Sequence, residues 1–142
     1  MRLALVACFV LAVPIPVHAE QSTAAAWLIE DAIDSACETT GTIDPTSVLE
    51  TDLTGDGLDD LVLSFGSLSC AGQLGTNDFC GASGMCSVQL YVRHADGTLA
   101  LKGDYLSQGG EFAIQESMPP GIVLSGHDGT PETLHWRGRG FE

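Results

Sequence analysis

The nine residues from Asp52 to Asp60, DLTGDGLDD, hold four aspartates and two glycines and run straight into the apolar Leu61-Val62-Leu63. Carboxylates at that density either surround a cation or make turns with their own backbone. With Asp52 as position 1, side-chain oxygens fall at position 3 (Thr54), 5 (Asp56) and 9 (Asp60), and the Leu58 carbonyl falls at 7. Calcium takes six to eight hard oxygens at about 2.3 to 2.6 Å, and a short loop can aim alternate residues inward when a glycine at position 6 permits a sharp bend. Gly57 stands there. The candidate calcium ligands are therefore Asp52, Thr54, Asp56, Leu58 through its carbonyl, and Asp60. Asp59 should turn away, since neighbours at positions 8 and 9 cannot both face one ion. An EF-hand is excluded, because position 12 is Leu63 where that motif needs a bidentate glutamate. The rival reading needs no metal, since aspartate and glycine also build Asx turns.

Other chemistry is sparse. His127-Asp128 lies in a turn with Ser125 just before it, but the chain has neither G-x-S-x-G nor H-E-x-x-H. His135, Arg137 and Arg139 alternate with Leu134 and Trp136, which on a strand would put one basic row on one face. Such a row either pairs with local acids or contacts an anion or a partner.

The first 19 residues combine Arg2, the apolar run Leu3 to Val13 and a small-residue end at Ala19, the pattern of a secretory signal. Leu5-Val6-Ala7-Cys8 also matches a lipobox, although only seven residues precede Cys8. Removing residues 1–19 leaves one domain, 20–142, in which four basic side chains face 19 acidic ones, a net charge of −15. That field repels nucleic-acid backbones and anionic membrane surfaces. Cys37, Cys70, Cys80 and Cys86 remain, an even number suited to two disulfides in an exported chain, with three connectivities open. Zinc is the alternative, but the spacings of 32, 9 and 5 residues contain no C-x-x-C pair. The gap GASGM can bend to close a small ring, which favours Cys80 with Cys86 and leaves Cys37 for Cys70.

The elements that must position these groups follow from periodicity. Ser22 or Thr23 can cap a helix whose apolar stripe is Ala25, Ile29, Ile33 and Cys37, with Gly41 as its stop. Leu61, Leu63 and Phe65 alternate as a strand, and so do Val88, Leu90 and Val92, with a turn at 95–98 leading to Leu99 and Leu101. Further strands are expected at 111–116, 121–125 and 133–137. The fold class is α+β, one N-terminal amphipathic helix packed on an antiparallel β-meander with two disulfides. Residues 67–86 form a long Gly/Cys-rich loop that needs tethering, and its cysteines supply the tether.

The order Asp52, Gly55-Asp56-Gly57, Asp60 followed by a strand resembles the calcium loops of FG-GAP and integrin α-type repeats, roughly D-x-[DN]-G-D-G-x-x-D-[LI]. Thr54 departs from that pattern, and the loop occurs once, so a propeller is excluded on repeat count. One such loop followed by FCGASGMC and a short meander is similar to a group of exported proteobacterial proteins. That resemblance implies location and fold style, and no activity. Two function classes remain. One is a calcium-stabilised, disulfide-bonded periplasmic or secreted binding module, such as a hydrolase inhibitor, contacting a protein partner through loop 67–86. The other is a small exported hydrolase using His127 or His135. Intact mass of exported material should show a chain beginning at Glu20, and a lipid-modified Cys8 would contradict the signal assignment.

Overall fold

The computed structural model describes residues 21–73 and 77–142, so the expected signal segment 1–19, with Cys8, and Glu20 lie outside the described residues. Among the described residues one α-helix, α1 (Thr23–Ala36), precedes nine strands, with a 3-10 turn at Pro45–Ser47 between the first two. These are β1 (Gly41–Thr42), β2 (Val48–Thr51), β3 (Asp60–Ser64), β4 (Ser69–Cys70), β5 (Met85–Arg93), β6 (Leu99–Gln108), β7 (Phe112–Gln115), β8 (Gly121–Ser125) and β9 (Pro131–Leu134). Every strand pairing is antiparallel, and the strands fall into three sheets: β1-β4, β2-β3-β5-β6 and β7-β8-β9. The class is α+β, as the periodicity implies. Among the described residues no helix is long and apolar enough to cross a membrane.

Ser22 is the N-cap, its hydroxyl accepting from the Ala25 N–H. The helix stops at Ala36, four residues sooner than the glycine signal suggests. Cys37 takes extended backbone and is bonded to Cys70, so the cross-link redirects the chain before Gly41 is reached. Gly41 instead opens β1, where a Cβ would stand 2.6 Å from the Cys37 sulfur.

The strand β3 lies at the centre, and all five of its residues are buried. Two apolar clusters explain this. Leu61, Leu63 and Phe65 share one with Ala25, Ala32 and Ala36 of α1. Val62 joins the other, with Val88 and Leu90 of β5, Ile122 and Leu124 of β8, and Leu134 of β9. A strand covered on both faces reads as a continuous apolar run, which is how DLVLSF is written. Fully burying each such side chain contributes about 1.5 to 3 kcal/mol.

Cys37–Cys70 and Cys80–Cys86 are both disulfide-bonded. The first joins the end of α1 to β4, and the second closes a small ring at the entry to β5. Sequence separations of 33 and 6 correspond, in the chain-entropy account, to about 4 and about 2 kcal/mol of stabilisation. Replacing Cys37 and Cys70 by alanine should therefore lower the denaturation midpoint roughly twice as far as replacing Cys80 and Cys86, measured by urea unfolding at constant m-value.

Candidate metal centre

The acidic loop bridges β2 and β3, which pair directly, so its ends are fixed by the sheet. Gly55 and Gly57 adopt φ of 81° and 87°, a left-handed bend that only glycine takes cheaply. Inside that bend the Asp52 carboxylate accepts three backbone N–H groups: Gly55 and Asp56 donate to Oδ1 at 2.7 and 3.2 Å, and Gly57 donates to Oδ2 at 2.8 Å. Burial works against the ionised form of Asp52, but the amides of Gly57, Gly55 and Asp56 outweigh it and hold the pKa below its ordinary 3.8. Asp56 Oδ1 accepts the Leu58 N–H at 2.9 Å. Asp56 and Asp59 are both exposed.

Asp60 is 0% exposed. Its Oδ2 accepts the N–H groups of Leu53 and Thr54 at 2.9 and 3.1 Å, and its Oδ1 accepts the Arg93 N–H at 2.8 Å. Burial pushes this carboxyl up, the Arg93 and Leu53 amides oppose the shift, and the charge of Asp56 adds to it. Thr54 Oγ1, the position-3 oxygen, is buried without a well-formed hydrogen bond, the one such side-chain atom among the described residues, yet it lies close enough to the Asp60 carboxylate to favour its ionised form. Asp52, Thr54, Asp56, Leu58 and Asp60 thus lie in one bend, with the aspartates turned largely onto backbone amides. Among the described residues no three His, Cys, Asp or Glu side chains converge as a ready metal cage.

Sequence reasoning missed the clamp beside the loop. Arg93 ends β5, and its Nη2 pairs with Glu50 Oε1 of β2 at 2.5 Å, both side chains being mostly buried. The same nitrogen donates to Ser22 Oγ, Nε donates to the Asp59 carbonyl, and Nη1 donates to the Gly97 carbonyl. Ser22 N–H and Oγ–H in turn donate to Glu50. The helix cap, β2, β5 and the acidic loop therefore meet on one guanidinium. The available signal was a lone arginine closing an alternating strand.

His127 is exposed in the turn after β8, where the Asp128 carboxylate is occupied by the Thr130 N–H and hydroxyl. Among the described residues no hydrogen bond joins His127 or His135 to a serine or a carboxylate. The expected basic row holds in its alternation but not as one strand face. β9 ends at Leu134, and the chain then folds back, with His135 and Glu142 exchanging backbone hydrogen bonds and Arg137 N–H donating to Gly140. Arg137 and Arg139 are exposed on that hairpin while Leu134 and Trp136 pack inward.

Loop 67–86 is anchored along its described length. Asn77 Nδ2 donates to the carbonyls of Phe65 and Leu68, and Phe79 stacks on Phe65 with centroids 3.9 Å apart. Gly81, Ala82 and Ser83 stand exposed at the tip of the ring closed by Cys80–Cys86. The chain matches no protein-family model, and neither a curated protein nor a solved structure matches it significantly.

Two titrations should separate the carboxylates of the bend. The folded state holds the Asp60 proton more tightly than the unfolded chain does, so its contribution to stability declines as pH rises above 3.8. Asp52 behaves oppositely, with stability present above 3.8 and lost as pH falls through its lowered folded value. The stability difference between wild type and Asp60→Asn should shrink with rising pH, and that between wild type and Asp52→Asn should grow, both read from denaturant midpoints. At neutral pH Asp60→Asn should still be destabilised, by about 1 to 3 kcal/mol for each backbone donor left unpaired.

Proposed function

We propose that this protein is an exported, calcium-stabilised, disulfide-bonded binding module whose contact surface is the Gly/Cys-rich loop 67–86, acting on a protein partner as a hydrolase inhibitor. The observation that carries the calcium reading is the Thr54 hydroxyl, buried without a well-formed hydrogen bond at position 3 and beside the buried Asp60 carboxylate. A buried hydroxyl without a partner costs about 1 to 3 kcal/mol, and a hard cation relieves it. Asp52, Asp56, the Leu58 carbonyl and Asp60 would complete the ligand set, each retaining oxygen lone pairs beyond those given to amides. The ion's part is structural. It neutralises clustered carboxylates and fixes the entry to β3.

The contact reading is supported by preorganisation. A disulfide ring and the Asn77 and Phe79 anchors hold the exposed tip Gly81-Ala82-Ser83 in place, so little ordering entropy is lost when a partner binds. Two disulfides are compatible with an oxidising compartment. With a neutral hydroxyl at position 3 and no position-12 glutamate, calcium affinity should fall in the range of about 0.1 to 1 mM of extracellular modules.

A ligand bound only by the folded state at a hundred times its Kd adds about 2.7 kcal/mol, so Tm should rise with calcium and fall in chelator. Asp56→Ala should abolish the response and Asp59→Ala should keep most of it. An identical wild-type Tm in millimolar calcium and in chelator would leave DLTGDGLDD an acidic turn. For the contact surface, immobilised protein should retain a hydrolase from periplasmic extract and lose it when Ala82 and Ser83 are replaced by aspartate. Undiminished capture by that variant would move the contact elsewhere.

A further inference from the structure

Beside the acidic bend, a cleft of about 560 Å³ gathers three of the four cationic side chains of residues 20–142, namely Arg93, Lys102 and Arg139. Arg93 is spent, its guanidinium nitrogens being given to Glu50, Ser22 and the carbonyls of Asp59 and Gly97. Lys102 and Arg139 are not. Among the described residues Glu50–Arg93 is the one ion pair, so these two cations stand unneutralised in a chain with 19 acidic side chains. We propose that this cleft binds a small monocarboxylate with an apolar or aromatic body, its carboxylate held between Lys102 and Arg139.

Three observations give the site its shape. In the β5-β6 ladder Leu90 faces Gly103 and Tyr91 faces Leu101, which leaves Lys102 as the extra residue of a β-bulge. Bulges of this kind re-aim a side chain that the regular pleat would place elsewhere. Trp136 forms part of the wall and is braced by Phe141, with centroids 5.2 Å apart, while the Tyr105 hydroxyl donates to the Phe141 carbonyl. Leu58 and Val92 extend the apolar wall, and His94 stands at the rim. Asp56 also lines the cleft, so in the calcium-free protein two cations against one carboxylate leave a net charge suited to a singly charged ligand and poorly suited to a phosphate dianion. The site shares no lining residue with segment 67–86.

Titration of the purified protein with sodium benzoate, benzamide and inorganic phosphate at constant ionic strength, followed by amide and indole correlation spectra, tests this. Benzoate should shift the Trp136 indole and the Lys102, Gly138 and Arg139 amides saturably, with benzamide and phosphate weaker by about tenfold or more. Lys102→Met and Arg139→Met should each weaken benzoate by about tenfold, while Arg137→Met, outside the cleft, leaves it unchanged. Absence of a saturable benzoate shift, equal affinity for benzamide, tighter binding of phosphate, or an equal loss in Arg137→Met would each overturn the proposal.

Discussion

A fully buried carboxylate with three backbone donors organises this fold. Asp60 begins the central strand β3, and its two oxygens take N–H groups from Leu53 and Thr54 on one side and from Arg93 on the other. Burying an ion without partners is prohibitive, so the chain around it has to be held in the one arrangement that supplies those donors. The bend of the acidic loop, the end of β5 and the start of β3 are thereby fixed by one side chain. Through Arg93 the constraint reaches Glu50 on β2 and the Ser22 cap of α1.

The rest of the molecule reinforces that centre from its two faces. α1 covers Leu61, Leu63 and Phe65, and the β7-β8-β9 sheet covers Val62 and its neighbours on β5. The disulfides add to that packing, since Cys37 and Cys70 are themselves buried in the cluster that α1 covers and Cys86 is buried on β5. Cys37–Cys70 ties the helix end to β4, and Cys80–Cys86 gives form to a glycine-rich segment that hydrophobic burial alone would hold weakly. A chain of this size has a modest core, and covalent ties of a few kcal/mol are a sizeable fraction of its net stability.

Local signals in the sequence were legible where local forces decide. The Ser22 cap, the 121–125 strand and the glycine bend at Gly57 follow from short-range chemistry, while the helix stripe was read in part, Ala25 being buried with Ala32 and Ala36 and Ile29 and Ile33 packing at its edge. Gly41 misled because a cross-link ended the helix before the glycine was reached. β2 went unread because VLET is four residues long and none of them is fully buried, so its apolar alternation is weak. The alternation of Leu134 and Trp136 against Arg137 held, but Arg139 left the row because the chain turns at Gly138, whose φ is 86°. The hydrogen bond of Arg93 to Asp60, and the placing of Lys102 and Arg139 on one cleft, join residues more than thirty positions apart, which no window of sequence displays.

Asp60 as the organising centre is tested most directly by native-state amide hydrogen exchange in the presence of chelator, which removes any contribution from a bound ion. The Leu53, Thr54 and Arg93 amides should exchange as slowly as those of Leu61 to Leu63, since opening their bonds to Asp60 requires exposing a buried carboxylate. If those three amides exchange near the unprotected rate while β3 stays protected, Asp60 is a passenger in the fold and the account fails.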